Sequence, residues 1–444
     1  MRRLSTRSGA MLLSLTAALL SWTADQSSAD NWPQWRGPAG NGVTAESQVP
    51  TAWGKEDHVR WRVPLEERGN STPVVWDQHI YLTQPDTSAK TRQLRCYDRR
   101  DGNLLWSQGV PHEGEESTHE TNPYCSASPA TDGERVIVWF GSAGLHCYDS
   151  SGKKLWDRDL GPQAHMWGYG TSPILHGNLC ILNFGPGDNE QLIAVDKKTG
   201  ETVWSVASLS TDEELALSGT ENDGNASDAK SDKPRRELLR GSWGTPTIYS
   251  DGQRDLLIVI HPRRVTAYDP ATGKIVWVCG GYAPLAYASP ISDGKLLLAL
   301  GGYFGASLAV RSDGSGDVTG THRLWHKPRD GSWLGTGVAV DGHAYLCDMN
   351  GKASCLEMAT GKTLWEERLS ASGGKGGTWS SATLTADRLV YWMNQSGDTF
   401  VFRADPEKFE LISRNSLDEP TNSSVVISGG NVILRTDQAL WCIE

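Results

Sequence analysis

Residues 128–156 read SPATDGERVIVWFGSAGLHCYDSSGKKLW, and this stretch decides the fold. Ser128-Pro129 opens it. Asp132-Gly133 makes a turn into the apolar run Val136-Ile137-Val138-Trp139. A second glycine turn leads to Leu145-His146-Cys147-Tyr148-Asp149, and Ser151-Gly152 turns into Lys154-Leu155-Trp156. Each run has strand length, and Gly or Asp-Gly supplies the positive φ of tight hairpins, so no helical period survives. The unit is four short antiparallel strands.

The same unit recurs about every 44 residues, which is the period of a propeller blade. Openers stand at Pro73, Pro129, Pro173, Pro246 and Pro290, then at Gly337, Ala382 and Val425, where the proline is lost. Closing tryptophans stand at Trp61, Trp106, Trp156, Trp204, Trp277, Trp325 and Trp365, and Phe409 to Ile412 takes that place in the next unit. One blade cannot bury its own two faces, so the units must stack in a ring, each Trp packing on the neighbouring blade. Eight openers predict an all-β, eight-bladed β-propeller of four-stranded antiparallel blades. The last unit holds only three strands, ending at Trp441-Cys442-Ile443-Glu444. The first Trp strand, Val59-Arg60-Trp61-Arg62-Val63, has no blade of its own, so it is expected to close the ring as the outer strand of blade eight.

Outside the repeats, residues 1–29 read as a secretory signal. Arg2, Arg3 and Arg7 precede the short apolar core Ala10 to Leu20, and small residues end at Ala29. A periplasmic or secreted protein is expected, without a membrane span and without a cysteine for lipid attachment. Residues 207–240 are polar and acidic and are expected to be a disordered insertion between blades three and four, with a regulatory lid as the alternative. The formal net charge of −11 argues against nucleic acid as the partner. Cys96, Cys147, Cys355 and Cys442 share one strand position, filled elsewhere by Ala194, Ala267, Ala309 and Val401. Equivalent positions lie far apart around a ring, so they read as small buried hydrophobes rather than a disulfide set. No CxxC or CxxCH supports zinc or c-type haem.

The openers, the Asp-x-x-Thr-Gly-x-x-x-Trp closers (Asp196 to Trp204, Asp269 to Trp277) and the start Asn31-Trp32-Pro33-Gln34-Trp35-Arg36-Gly37-Pro38 resemble the pyrroloquinoline-quinone (PQQ)-binding-like β-propeller repeat proteins of the exported, planctomycete type. The resemblance covers nearly the whole chain after the signal. Related repeats occur in the outer-membrane assembly factor BamB and in quinoprotein alcohol dehydrogenases, so the resemblance implies fold rather than activity. In those dehydrogenases it implies a tricarboxylate quinone, a Ca²⁺ beside it, a carboxylate base, and a disulfide of adjacent cysteines stacked on the quinone. This chain has no adjacent Cys pair. Asp348-x-Asn350 could hold a cation but reads more simply as a turn. PQQ with Ca²⁺ therefore belongs to the alternative function only.

In a propeller, the connections between each fourth strand and the next first strand converge on one face. Here they carry His119, Asn122 and Tyr124, then His165 and Trp167, then Trp243, Tyr287, Trp333 and Trp379. The recurrence before successive openers predicts an aromatic-lined central funnel. Lys375, within the glycine-rich run 373–377, would add a positive charge there suited to a carboxylate or phosphate, although that run reads more simply as a flexible connector. Arg240, Arg263 and Arg264 could also meet an anion, although isolated arginines are more often solvated. No Ser-His-Asp set is readable. The expected function is a non-catalytic scaffold, a monomer binding a partner protein or a small planar ligand. The alternatives are a PQQ-dependent oxidoreductase and a BamB-like assembly scaffold.

Overall fold

The computed structural model describes residues 31–114, 116–187, 189–210, 213, 240–250, 252–303, 305–373 and 376–444. Residues 1–29, expected to be a signal, most of 207–240, expected to be a disordered insertion, and Lys375 lie outside the described residues. The chain is an eight-bladed β-propeller whose blades follow the openers; seven blade sheets have four strands, and that of blade four gains a fifth, parallel strand, Gly316–Asp317.

Blade three shows the construction. Ile174–His176, Leu179–Phe184, Gln191–Asp196 and Thr202–Ala207 pair in sequence order, each antiparallel to the next. Ala194 stands opposite Trp204, and the register shifts between Ala194 and Val195. The same pairing and shift recur at Cys96 with Trp106, Cys147 with Trp156, Ala267 with Trp277 and Cys355 with Trp365. A bulge turns a side chain out of the regular pleat. Here it faces a small residue on the third strand and aims the indole at the next blade. This accounts for Cys96, Cys147, Cys355 and Cys442; all eight cysteines are free and buried.

Each closing indole reaches a carbonyl of the following blade. Trp106 Nε1 donates to Ser150 O at 3.0 Å, Trp204 to Pro270 O at 3.0 Å and Trp277 to Ser312 O at 3.0 Å. For Trp61, Trp106, Trp156, Trp204 and Trp325 the ring lies on the turn glycine of that blade. A Cβ on Gly273 would sit 2.6 Å from the Trp204 ring, and φ there is +68°, so both space and backbone require glycine.

The ring closes as expected. Val59–Pro64 pairs with Ala439–Ile443, which pairs with Asn431–Arg435 and then Val426–Ser428. Blade seven has no closing Trp, and its vacancy is filled from elsewhere. Tyr81 and Tyr345 face the tryptophans of their own blades at 6.0 and 6.2 Å, whereas Tyr391 of blade seven stacks on Trp53 at 6.5 Å. Trp53 belongs to the segment that precedes the ring.

The rest of that segment fills the channel. Trp32 bridges Val75 of blade one, Pro33 O accepts from Thr131 N of blade two, and Gln34 Oε1 accepts from Leu175 N of blade three. Arg36 is 2 % exposed, and its guanidinium donates to Thr336 O, Gly337 O and Ala382 O of blades six and seven. No carboxylate of the described residues faces it, and burial lowers its pKa to about 9. Val43 then bridges Leu384. Residues 32–43 thus plug the propeller axis. The plug is tight at Gly42, where φ is +78° and a Cβ would lie 2.7 Å from Ala382 O.

Candidate functional site

The residue before each opener is Ser or Thr, and these eight hydroxyls form a belt around the axis. Thr72 N donates to Ser128 Oγ, Ser128 N to Ser172 Oγ, and Ser172 N to Thr245 Oγ1, at 2.8 to 3.0 Å. Ser289 N donates to Thr336 Oγ1, Thr336 N to Ser381 Oγ, Ser381 N to Ser424 Oγ and Ser424 N back to Thr72 Oγ1. Each accepting oxygen keeps its own O–H as a donor. The belt is broken between Thr245 and Ser289, where Ser289 Oγ is buried without a partner among the described residues. Two short parallel strands, Gly241–Ser242 and Leu285–Ala286, are inserted at that point and bring Trp243 and Tyr287 together.

Above the belt lies a cavity of about 350 Å³. Its floor includes Trp35 from the plug. One wall is aromatic: Trp243 stacks on Tyr287 at 5.0 Å, Trp167 lies 5.8 Å from Trp243, and Tyr303 meets Tyr287 edge-on at 5.7 Å. Trp379 also lines the cavity. The opposite wall is made of amides. Asn70 and Asn422 donate to Thr121 O, and Asn122 donates to Trp167 O and Tyr169 O. The Nδ2 groups are thus engaged, while Oδ1 of Asn70 and of Asn122 accepts nothing from the described residues. Trp243 Nε1 is held by Gly168 O at 2.9 Å. Tyr287 Oη is buried without a partner among the described residues, and burial keeps that phenol protonated far above the usual range.

Six of the sequence-predicted residues line this cavity together: His119, Asn122, Trp167, Trp243, Tyr287 and Trp379. The other four do not. His165 stands behind the wall, 5.5 Å from Trp167 and 4.9 Å from Trp243. Tyr124 is turned away beneath Arg92, whose guanidinium lies 3.6 Å from its ring, and its hydroxyl donates to Glu116 O. Trp333, expected at the funnel, is 7 % exposed and packs between blades five and six with Leu346 and Leu356. Its ring folds back over Gly331 and leaves the cavity to Leu334. Lys375 lies outside the described residues. Arg264 is buried rather than solvated. Sequence reasoning missed Trp35, Asn70, Asn422, Tyr303 and the belt. The belt had a signal, a Ser or Thr before every opener. Asn70 and Asn422 stand in connections without aromatics and had none.

The chemistry of this lining is uncharged. The described residues around the cavity include no Lys, Arg, Asp or Glu. A tricarboxylate quinone needs cations against its carboxylates, and Ca²⁺ needs several oxygen ligands, usually with carboxylates among them. The described residues do not fit PQQ with Ca²⁺. Asp348, which could have held a cation, accepts from Asn350 N and Lys352 N within its own hairpin, as a turn residue does.

The fold and repeat define a PQQ-like β-propeller repeat protein. The chain belongs to the family described as outer membrane protein assembly factor BamB, whose profile matches residues 42–123, 90–228 and 235–444. Among solved structures it is similar to a europium-containing methanol dehydrogenase (13 % identity, 93 % of this chain and 91 % of that one, TM-score 0.67). It is also similar to BamB from Moraxella catarrhalis (13 %, 86 % and 96 %, TM-score 0.56). A quinohemoprotein alcohol dehydrogenase from Comamonas testosteroni matches at 14 %, 94 % and 81 %, with TM-score 0.67. At these identities the likeness concerns the fold alone. Comparison with curated proteins found no match. No helix of the described residues is long and apolar enough to cross a membrane.

Proposed function

We propose that this protein is an exported, non-catalytic binding scaffold whose central funnel takes an uncharged ring-shaped ligand. One observation carries the reading: the described lining joins an aromatic wall to amides and hydroxyls without a single charged side chain. A buried charge on the ligand would find no partner there and would cost several kcal/mol. Aromatic faces and unpaired hydrogen-bonding groups suit a neutral polar ring. His119 is the one imidazole among the described lining residues; its Nδ1 lies 2.8 Å from the Thr121 hydroxyl, and no carboxylate of the described lining stands with them to complete an acid–base set. Export rests on the amino-terminal sequence, and mass spectrometry of the mature protein should find a terminus at or near Asp30.

The test is retention of PQQ. Protein incubated with PQQ and Ca²⁺ and then desalted is expected to carry no quinone absorbance and to reduce no artificial acceptor with alcohols. Retained quinone, lost on Trp379→Ala, would overturn the reading in favour of a quinone-dependent oxidoreductase. The family match supports a second reading, a BamB-like assembly scaffold binding a protein partner.

A further inference from the structure

The funnel does not end at its rim. Thr121 and Asn422, which line it, also line a cavity of about 100 Å³ with Arg68, Gln395 and Asp437. Thr121 and Gln395 in turn line an open groove of about 960 Å³ that runs past Asp348, Lys352 and Arg368 on blade six. Gln395 Nε2 donates to Asn422 Oδ1 at 3.1 Å and ties the two spaces together. A ligand of one ring would occupy the funnel and leave this path unused.

Among the described residues, the charge along the path is balanced. There the bases Arg68, Lys352 and Arg368 are matched by the carboxylates Glu120, Asp348 and Asp437. Lys352 is already paired with Glu366 at 2.8 Å, and Arg368 donates to Asn350 O at 3.0 Å. A polyanion or a polycation would meet like charge along the way, whereas a neutral polar chain would not.

Within the funnel, the aromatic wall is closed on itself. Neighbouring ring centroids of Trp167, Trp243, Tyr287 and Tyr303 lie 5.0 to 6.4 Å apart, less than the roughly 7 Å that a ring inserted between two parallel rings requires. A ligand therefore lies against this wall rather than within it. Its other edge meets the O–H donors of the belt and the acceptors Oδ1 of Asn70 and Asn122. A pyranose has this pattern: an apolar C–H face, with hydroxyls at its edge that both donate and accept.

Resting on the uncharged-ligand reading of the funnel, we infer that the ligand is a neutral oligosaccharide, with one terminal sugar in the funnel and the following residues along the groove past Gln395 toward Arg368.

Titration of the full mature protein by calorimetry, with neutral glucan, mannan and galactan series from mono- to hexasaccharide, tests this. In the matching series, affinity is expected to rise about tenfold or more from mono- to tetrasaccharide and then level off. Arg368→Ala, which lines only the groove, should remove that gain and leave monosaccharide affinity unchanged, while Trp379→Ala should abolish binding at every length. Monosaccharide binding without a gain in length would overturn the oligosaccharide and leave the funnel reading intact. So would binding of lumichrome, an uncharged planar ring, with no sugar bound at any length. Retention of PQQ in the funnel, lost on Trp379→Ala, would overturn both.

Discussion

Trp277 and Trp379 are both tryptophans beside a strand, yet Trp277 is wholly enclosed and Trp379 lines a cavity. The difference is one of position within the blade. Trp277 closes a unit, its indole bound to Ser312 O of the next blade, and the same contact recurs around the ring. Trp379 stands in a connection leading to a first strand, where each blade presents something different: His119 and Asn122, then Trp167, then Trp243. Periodic positions hold the propeller together, and the aperiodic ones between them furnish the funnel.

Truncation should separate the two classes most strongly. Trp277→Ala is expected to cost about 3–5 kcal/mol, seen as a lower urea midpoint, because it empties a buried interface and leaves Ser312 O without its donor. Trp379→Ala should shift that midpoint by less than about 1 kcal/mol while removing ligand binding. Equal losses would erase the distinction. Trp333→Ala should now fall with Trp277, since it is buried between blades.

The plug belongs to neither class, and Arg36→Met probes it. Several backbone carbonyls would lose a charged donor, for an expected cost of about 2–4 kcal/mol in the same assay. The belt gives a smaller contrast. Thr336→Val removes the acceptor of Ser289 N–H and should cost about 1–2 kcal/mol, whereas Ser289→Ala removes a hydroxyl without a partner and should cost under about 0.5 kcal/mol. Similar values for both would mean that the break in the belt has no energetic meaning.

The smallest effect is a pH dependence. His261 is buried against Tyr268, and desolvation, aided by Arg264 and Arg240, depresses its pKa well below 6.5. Burial also lowers the pKa of His146. Each binds its proton more readily in the unfolded chain. Stability from these sites is therefore full above pH 6.5 and is lost as pH falls toward their folded values. Melting temperature should drop on acidification below 6.5, and His261→Gln should flatten the slope.

The fold was legible because it is written eight times. Opener, Asp-Gly turn, small residue and closing Trp each repeat, and local sequence alone sets them. Ring closure by Val59–Pro64 followed from counting strands. The funnel was legible only where an aromatic or His stood out in a connection, as at Trp167 and Trp243. Trp35 was hidden because its place depends on how residues 32–43 cross the axis, a long-range arrangement that no local period encodes. Trp333 misled for the converse reason: a connection residue can turn back between blades, and burial of its large ring favours that.

One stretch, Trp32 to Pro64, touches six of the eight blades. It reaches blades one, two and three through Trp32, Pro33 and Gln34, and blades six and seven through Arg36 and Val43. Its strand completes blade eight. Its partners include Ala439–Ile443, at the far end of the sequence. The part of the propeller made early therefore waits, during synthesis, for the part made last, and its contacts are among the most distant in sequence that the ring contains. Contacts of that kind form slowly, since the loop they close must be ordered before they repay it. Trp35 arrives at the funnel floor by the same route. Occupancy of the funnel would then report completed assembly: a chain halted before its final strand could hold several good blades and still have no finished site.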